Sequence, residues 1–223
     1  AAGDLYEGQF NEVAPQCQAD ISVSGGTDRV KYFVSFGYFR QEGITNAVEY
    51  YGSNTGSVFN RYNFRSNFDI NVTKNLKITI NSAGQFGETT GPGNSADPYD
   101  LSSRYKIIMQ YIYDANPFIS PGIVDGKLIR GFAGISGSEQ NPISGKTNSQ
   151  IGEQNALYNL LISGSGTIFN SLLDNSIKLE HTMDYLLPNL RAYATVSYQD
   201  NYNRYVKYTP SIPSYTVQRS LEN

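Results

Sequence analysis

His181 is the only histidine and Cys17 the only cysteine in the 223 residues. A catalytic triad or a histidine-based metal cluster needs partners that a lone imidazole and a lone thiol do not have. His181 falls among the apolar alternates of its strand and reads as structural, and Cys17 lies in a lead-in with no histidine beside it. Asp97, Asp100, Asp114, Asp125 and Glu139 are scattered carboxylates. Two carboxylates at the right separation would hydrolyse a glycoside, but in stretches rich in Asn, Ser and Gly they read as solvated loop. Asp97, Asp100 and Asp114 also lack the regular spacing of a calcium loop. Gly164 and Gly166 are followed by neither GxxG nor GKS/T, and Gly131, Gly134 and Gly137 are wrongly spaced to cradle a phosphate. Asn71-Val72-Thr73 fits a glycosylation sequon, inside a strand pattern. No catalytic residue, cofactor site or metal site is expected.

The best functional surface is instead a row of polar residues. From Arg61 to Lys74 the chain alternates with a period of two, the pattern of a strand with unlike faces. Arg61, Asn63, Arg65, Asn67 and Asp69 share one face, continued by Asn71 and Thr73. Tyr62, Phe64, Phe68, Ile70 and Val72 share the other, with Ser66 its one polar member. Lys74-Asn75 makes a turn and Leu76 to Glu88 returns, with Leu76, Ile78, Ile80 and Phe86 opposite Lys77, Thr79, Asn81 and Gln85.

Two further hairpins follow the same rule. Ile21-Ser22-Val23 leads through Gly25-Gly26-Thr27-Asp28 into Val30 to Glu42. There Val30, Tyr32, Val34, Phe36 and Tyr38 alternate with Lys31, Phe33, Ser35, Gly37, Phe39 and Gln41. Thirteen residues at about 3.3 Å each reach roughly 43 Å, long for a globular strand and enough to cross a tilted bilayer core. The third hairpin runs from Asn175 to Leu187, turns at Pro188-Asn189, and returns from Leu190 to Tyr205. Ile177, Leu179, Met183, Tyr185 and Leu187 form its first apolar set, and Leu190, Ala192, Ala194, Val196, Tyr198 and Tyr202 its second. Residues 1–18 read as a lead-in, and 43–60 and 89–155 as long loops. Leu101 to Tyr113 carries helical spacing, Asn155 to Ile162 is ambiguous, and 214–223 has no assignment. Short turns on one side and long loops on the other match the arrangement of outer-membrane barrels.

Composition agrees without deciding. Charged residues are 17% and aromatics 13%, with 18 Tyr, 11 Phe and no Trp. A transmembrane barrel has this profile because lipid-facing residues alternate with polar ones, and a secreted β-sandwich or solenoid has it too. A net charge of −3 without any basic run argues against nucleic acid as a partner. One cysteine excludes an internal disulfide. No stretch reaches 18 apolar residues, which removes a transmembrane helix but not a barrel. The first ten residues lack the basic and apolar regions of a signal peptide, so the chain is expected to be mature, cytosolic or an internal piece of something longer.

The wording ISVSGGTDRVKYFVSFGYFRQEGI at 21–44, followed in order by RYNFRSNFDINVTKNLKITIN at 61–81, resembles the SusC/RagA-type TonB-dependent outer-membrane transporters of Bacteroidetes. Weaker matches are Asn116-Pro117-Phe118 and LEHTMDYLLPNLRAYATVSYQDN at 179–201. The resemblance implies an all-β fold in which residues 1–223 are a segment of a 22-stranded antiparallel transmembrane barrel, of six to eight strands, with long extracellular loops and one short helix. Arg61, Asn63, Arg65, Asn67 and Asp69 would face the lumen, and Tyr62, Phe64, Phe68, Ile70 and Val72 the lipid. It also implies an outer-membrane location, a glycan or peptide substrate, a SusD-like surface lipoprotein as lid, and the TonB–ExbB–ExbD complex acting through a plug. The rival expectation is a soluble extracellular adhesin or carbohydrate-binding module, in which one face of each strand would pack into a shared core.

Overall fold

The alternation from Arg61 onward produces the central hairpin of the molecule. In the computed structural model, which describes residues 10–93, 106, 109, 110, 113, 122–133 and 156–218, Val58–Asn71 and Leu76–Pro92 pair antiparallel from Val58↔Thr90 to Asn71↔Lys77. The strands in chain order are β1 (Gln16–Gly26), β2 (Val30–Glu42), β3 (Glu49–Tyr50), β4 (Ser53–Asn54), β5 (Val58–Asn71) and β6 (Leu76–Pro92). After them come β7 (Ile123–Val124), β8 (Lys127–Ala133), a short helix α1 (Ala156–Ile162), β9 (Ser165–Thr182), β10 (Arg191–Tyr208) and β11 (Tyr215–Gln218).

Six of these strands form one antiparallel sheet in the order β1-β2-β5-β6-β9-β10, so the fold is all-β with little helix. Each sheet neighbour is also the next long strand in sequence, the path of an up-and-down meander. The connections at one end are short: 27–29, 72–75 and 183–190. Those at the other end are 43–57 and 93–164.

Several boundaries differ from the sequence reading. β1 starts at Gln16 rather than Ile21, because Gln16 to Asp20 pair with Gln41 to Gly37. A backbone ladder extends a strand whatever its side-chain pattern. For the same reason β9 starts at Ser165, ten residues before the pattern becomes clear, held between β6 and β10. Residues 89–92, read as loop, extend β6, and loop 43–60 contains β3, β4 and the start of β5. Met183, Tyr185 and Leu187 continue the apolar alternation but leave the sheet. The Leu186 and Leu187 amides both donate to the Met183 carbonyl, and Asn189 turns with φ 63° while its amide donates to Asp184. Leu190 lies in that turn as well, and residues 215–218, left unassigned, form β11. The ambiguous stretch before Ser163 is helix α1. Of the Leu101–Tyr113 helix, the described residues Lys106, Met109, Gln110 and Tyr113 are helical and the rest lie outside the described residues, as do Asp97, Asp100, Asp114, Asn116-Pro117-Phe118 and Glu139.

Among the described residues the sheet carries no hydrophobic core of the ordinary kind. Their buried apolar side chains are Leu128, Ile129, Leu160, Leu161 and Ile168, and all belong to the long-loop end. There β7, β8, α1 and the β3–β4 hairpin meet. The Ser53 hydroxyl donates to the Leu161 carbonyl at 2.7 Å, and the Tyr50 hydroxyl joins the turn between β7 and β8. β11 lies parallel to β8. The lead-in is tied to the same end, with the Asn11 amide donating to the Ile44 carbonyl and the Glu42 amide to that of Pro15.

Candidate functional site

The pairing register carries the alternation of one strand across the whole sheet. On one face Ile70, Phe68, Phe64 and Tyr62 of β5 pair with Val30, Tyr32, Phe36 and Tyr38 of β2. On the other side of β5 the same residues meet Ile78, Ile80, Gly84 and Phe86 of β6. Ile177 and Leu179 of β9 and Val196 and Ala194 of β10 continue this apolar face. Nothing among the described residues packs onto it: Val34 is 41% exposed, Ile177 49% and Val196 74%. His181 sits on this face between Leu76 and Ala192, as its place in the alternation indicates. Cys17 is free and exposed. Among the described residues no group of three His, Cys, Asp or Glu side chains could hold a metal ion.

A polar seam crosses the apolar face at Ser66, Ser82 and Asn175, which pair in one row. The Ser82 hydroxyl donates to the Asn175 side-chain oxygen at 2.6 Å, so these polar groups partly satisfy one another. Toward the long loops the face closes with aromatic rings and then charges. Tyr38 and Tyr62 lie 5.2 Å apart, the Tyr38 hydroxyl donates to Asn60, and Arg40 pairs with Glu42 at 3.0 Å.

Arg61, Asn63, Arg65, Asn67 and Asp69 all lie on the opposite face, so the structure brings the five together in one row along β5. Tyr62, Phe64, Phe68 and Ile70 share the apolar face. Val72 lies one residue beyond β5, exposed in the turn, where its amide donates to the Leu76 carbonyl. The Asn71 side-chain amide donates to the Asp28 carbonyl at 2.9 Å, which ties two turns together.

The polar face changes character along its length. Near the short turns its carboxylates are paired: Asp69 accepts from Thr79 at 2.7 Å and lies 3.3 Å from Lys77, and Glu180 lies between Lys178 and Arg191 at 3.6 and 3.5 Å. Toward the long loops it is aromatic. The Arg61 guanidinium lies over the Phe39 ring at 5.1 Å, and Phe39 meets Phe59 edge-on at 5.9 Å. Between these zones small residues open a depression of about 550 Å³, with Ser35, Gly37 and Ala83 along its floor and Asp20, Asn63 and Asp174 around it. The Asp20 carboxylate lies over Gly37, where a Cβ would stand 2.5 Å from its Oδ1 and the exposed carboxylate would have to swing aside. Gln18 donates to the other oxygen of Asp20 at 2.8 Å, at the exposed surface.

Sequence reasoning found the β5 row and missed Asp20 and Asp174, which stand level with it on other strands. Their signal is the parity of the register, and it becomes visible only once each strand is aligned to its neighbour.

The chain has partial likenesses among known proteins. It is 39% identical over 66 residues to TonB-dependent receptor P26 of Formosa agariphila, a match covering 29% of this chain and 6% of that protein. It is 33% identical over 75 residues to TonB-dependent receptor P3 of the same organism, covering 34% of this chain and 6% of the relative. The matched part is thus a small fraction of each receptor's length. No protein-family profile matches the chain, and no solved structure matches it.

Proposed function

We propose that this chain is part of the β-barrel of a SusC/RagA-type outer-membrane transporter. The observation that carries this reading is the apolar face that extends over six long strands, crossed by one polar row, exposed and opposed by a polar face. A bilayer covers such a face without a second protein layer, and a barrel wall directs its polar side to the lumen. On this reading Arg61, Asn63, Arg65, Asn67 and Asp69 line the lumen. Tyr62, Phe64, Phe68 and Ile70 meet lipid, with Val72 at the turn-side boundary. The short connections are the periplasmic turns and the loop cluster around Leu128 and Leu161 is extracellular.

The parent protein would import a glycan fragment or an oligopeptide. The TonB–ExbB–ExbD complex would supply energy through a plug, and a SusD-like lipoprotein would close the outer mouth. The partial likeness to two TonB-dependent receptors supports the TonB-coupled part of this reading. The mechanism is binding and gated passage, with no bond made or broken. No helix among the described residues is long and apolar enough to cross a membrane, so crossing falls to the strands.

A soluble adhesin would bury one face of its sheet, and among the described residues four of the five buried apolar side chains lie outside the six-stranded sheet. Membrane fractionation of cells expressing the full-length protein tests the proposal, together with substrate uptake in strains with and without TonB. Recovery in the outer membrane with TonB-dependent uptake is the expected result. Recovery as a soluble extracellular protein contradicts it.

A further inference from the structure

The three short connections of the sheet are unlike one another. Thr27-Asp28-Arg29 is polar throughout, and Val72-Thr73-Lys74-Asn75 is polar after its first residue. The third, 183–190, turns Tyr185, Leu186 and Leu187 outward, 72%, 66% and 58% exposed. Its backbone is nevertheless bonded within itself: the Met183 amide donates to the Leu190 carbonyl at 2.8 Å, and the Leu190 amide donates to that of Leu187 at 3.1 Å. Single exposed apolar side chains are ordinary, but three together on an ordered turn mark a contact surface.

Tyr185 shows the side to which the turn leans. Its ring lies 6.2 Å from that of His181, and His181 belongs to the apolar face, between Leu76 and Ala192. The Thr182 amide donates to the Asn75 carbonyl at 2.8 Å and sets this turn beside 72–75, where Val72 is exposed as well. The apolar turn is therefore continuous with the edge of the apolar face.

We propose that turn 183–190 is a membrane-interface anchor, with Tyr185, Leu186 and Leu187 seated in the phospholipid leaflet on the short-turn side. This deepens the transporter reading and rests on it, because the face that the turn continues must itself meet lipid. Tyrosine joins an apolar ring to a polar hydroxyl and suits the headgroup level, and leucine suits the acyl boundary beneath it. Asp184, the one charged residue of the turn, accepts from the Asn189 amide at 2.8 Å, and a charge near the interface costs little. On the transporter reading lipid already surrounds the wall as far as Leu76 and His181. It covers the next apolar side chains without a further partner, whereas a protein docked there would have to displace it. Of the three short turns only this one carries such a group, so the β9–β10 hairpin sets the depth of this part of the wall.

The test uses the full-length protein containing this chain, with its native cysteines replaced by serine, in phosphatidylcholine vesicles. Spin labels are placed at Leu186→Cys in the apolar turn and at Lys74→Cys in its polar neighbour. Both positions are exposed, so neither replacement removes a buried contact. Collision with oxygen dissolved in lipid, set against collision with a water-soluble nickel chelate, reads the depth of each label. The Leu186→Cys label should lie about 5–10 Å into the headgroup–acyl boundary, the depth of interfacial apolar faces, and the Lys74→Cys label in water. A Leu186→Cys label in water overturns the proposal, as does one at the same depth as the Lys74→Cys label. A Leu186→Cys label shielded from both reagents overturns it too, because protein rather than lipid would then cover the turn. A third label, at Ile80→Cys on the apolar face, separates the two levels. Lipid at Ile80→Cys with water at Leu186→Cys sinks the anchor and leaves the transporter reading standing, whereas water at both sinks both.

Discussion

The ring of Phe64 occupies the space that a side chain at Gly84 would fill. The two residues pair directly across β5 and β6, and a Cβ at Gly84 would collide with the ring. Phe64 is further braced by Phe86, stacked at 6.1 Å with an interplanar angle of 20°. A glycine in a strand interior is normally a weak point, and an aromatic laid over it recovers contact area and pins the register.

Gly84→Val should therefore displace Phe64 and cost roughly 1–3 kcal/mol, the usual range for overpacking. Urea unfolding of the full-length protein in bilayers measures it. The double variant Gly84→Val with Phe64→Ala should lose less than the sum of the single variants, because the two positions compete for one space.

The Tyr50 hydroxyl donates to the Gly126 carbonyl and accepts from the Leu128 amide, each at 3.2 Å, and so ties loop 43–57 to a hairpin more than seventy residues later. Tyr50→Phe removes both bonds with little change in shape. Loss of about 1 kcal/mol from this contact should raise hydrogen exchange at the Leu128 amide about fivefold and leave amides in β5 unaffected. Unchanged exchange at Leu128 would show that the loop cluster is held by its leucines alone.

Side-chain alternation made the three hairpins legible, because from Arg61 through the first part of β6 unlike residues stand on opposite faces with Ser66 as the exception. The assignment of His181 to the apolar face follows from the same parity, and the register agrees with it. Strand ends were less legible where backbone pairing, not pattern, sets them. Gln16 to Ala19 are extended because β2 offers them a ladder, and Met183 to Leu187 leave the sheet although their alternation continues. The polar depression was invisible for a different reason. Asp20, Arg65 and Asp174 are 45 and 109 residues apart in sequence, and only successive strand pairings bring Asp20 level with Asn63 and Asp174 level with Arg65, in adjacent rows of one face.

Adjacent positions on β6 offer a direct energetic contrast. Ile80 lies on the apolar face beside Phe68 and Ile177, and Asn81 on the polar face beside Asn67 and Ser176. Ile80→Arg should destabilise the bilayer-embedded protein by roughly 2–4 kcal/mol, the cost of a cation on the lipid face near mid-depth. Asn81→Arg should change stability by less than about 1 kcal/mol, as for other solvated charges. Equal costs at the two positions contradict the assignment of faces.

The same two positions give the most direct test of the central claim that the apolar face meets lipid. With Cys17 replaced by serine, single cysteines at Ile80 and Asn81 of the full-length protein are spin-labelled in bilayers. Accessibility to oxygen, which partitions into lipid, is compared with accessibility to a water-soluble nickel chelate. The transporter account predicts high oxygen and low nickel accessibility at Ile80, with the order reversed at Asn81. Both labels reporting water, on a protein that elutes as a monomer without detergent, would contradict it.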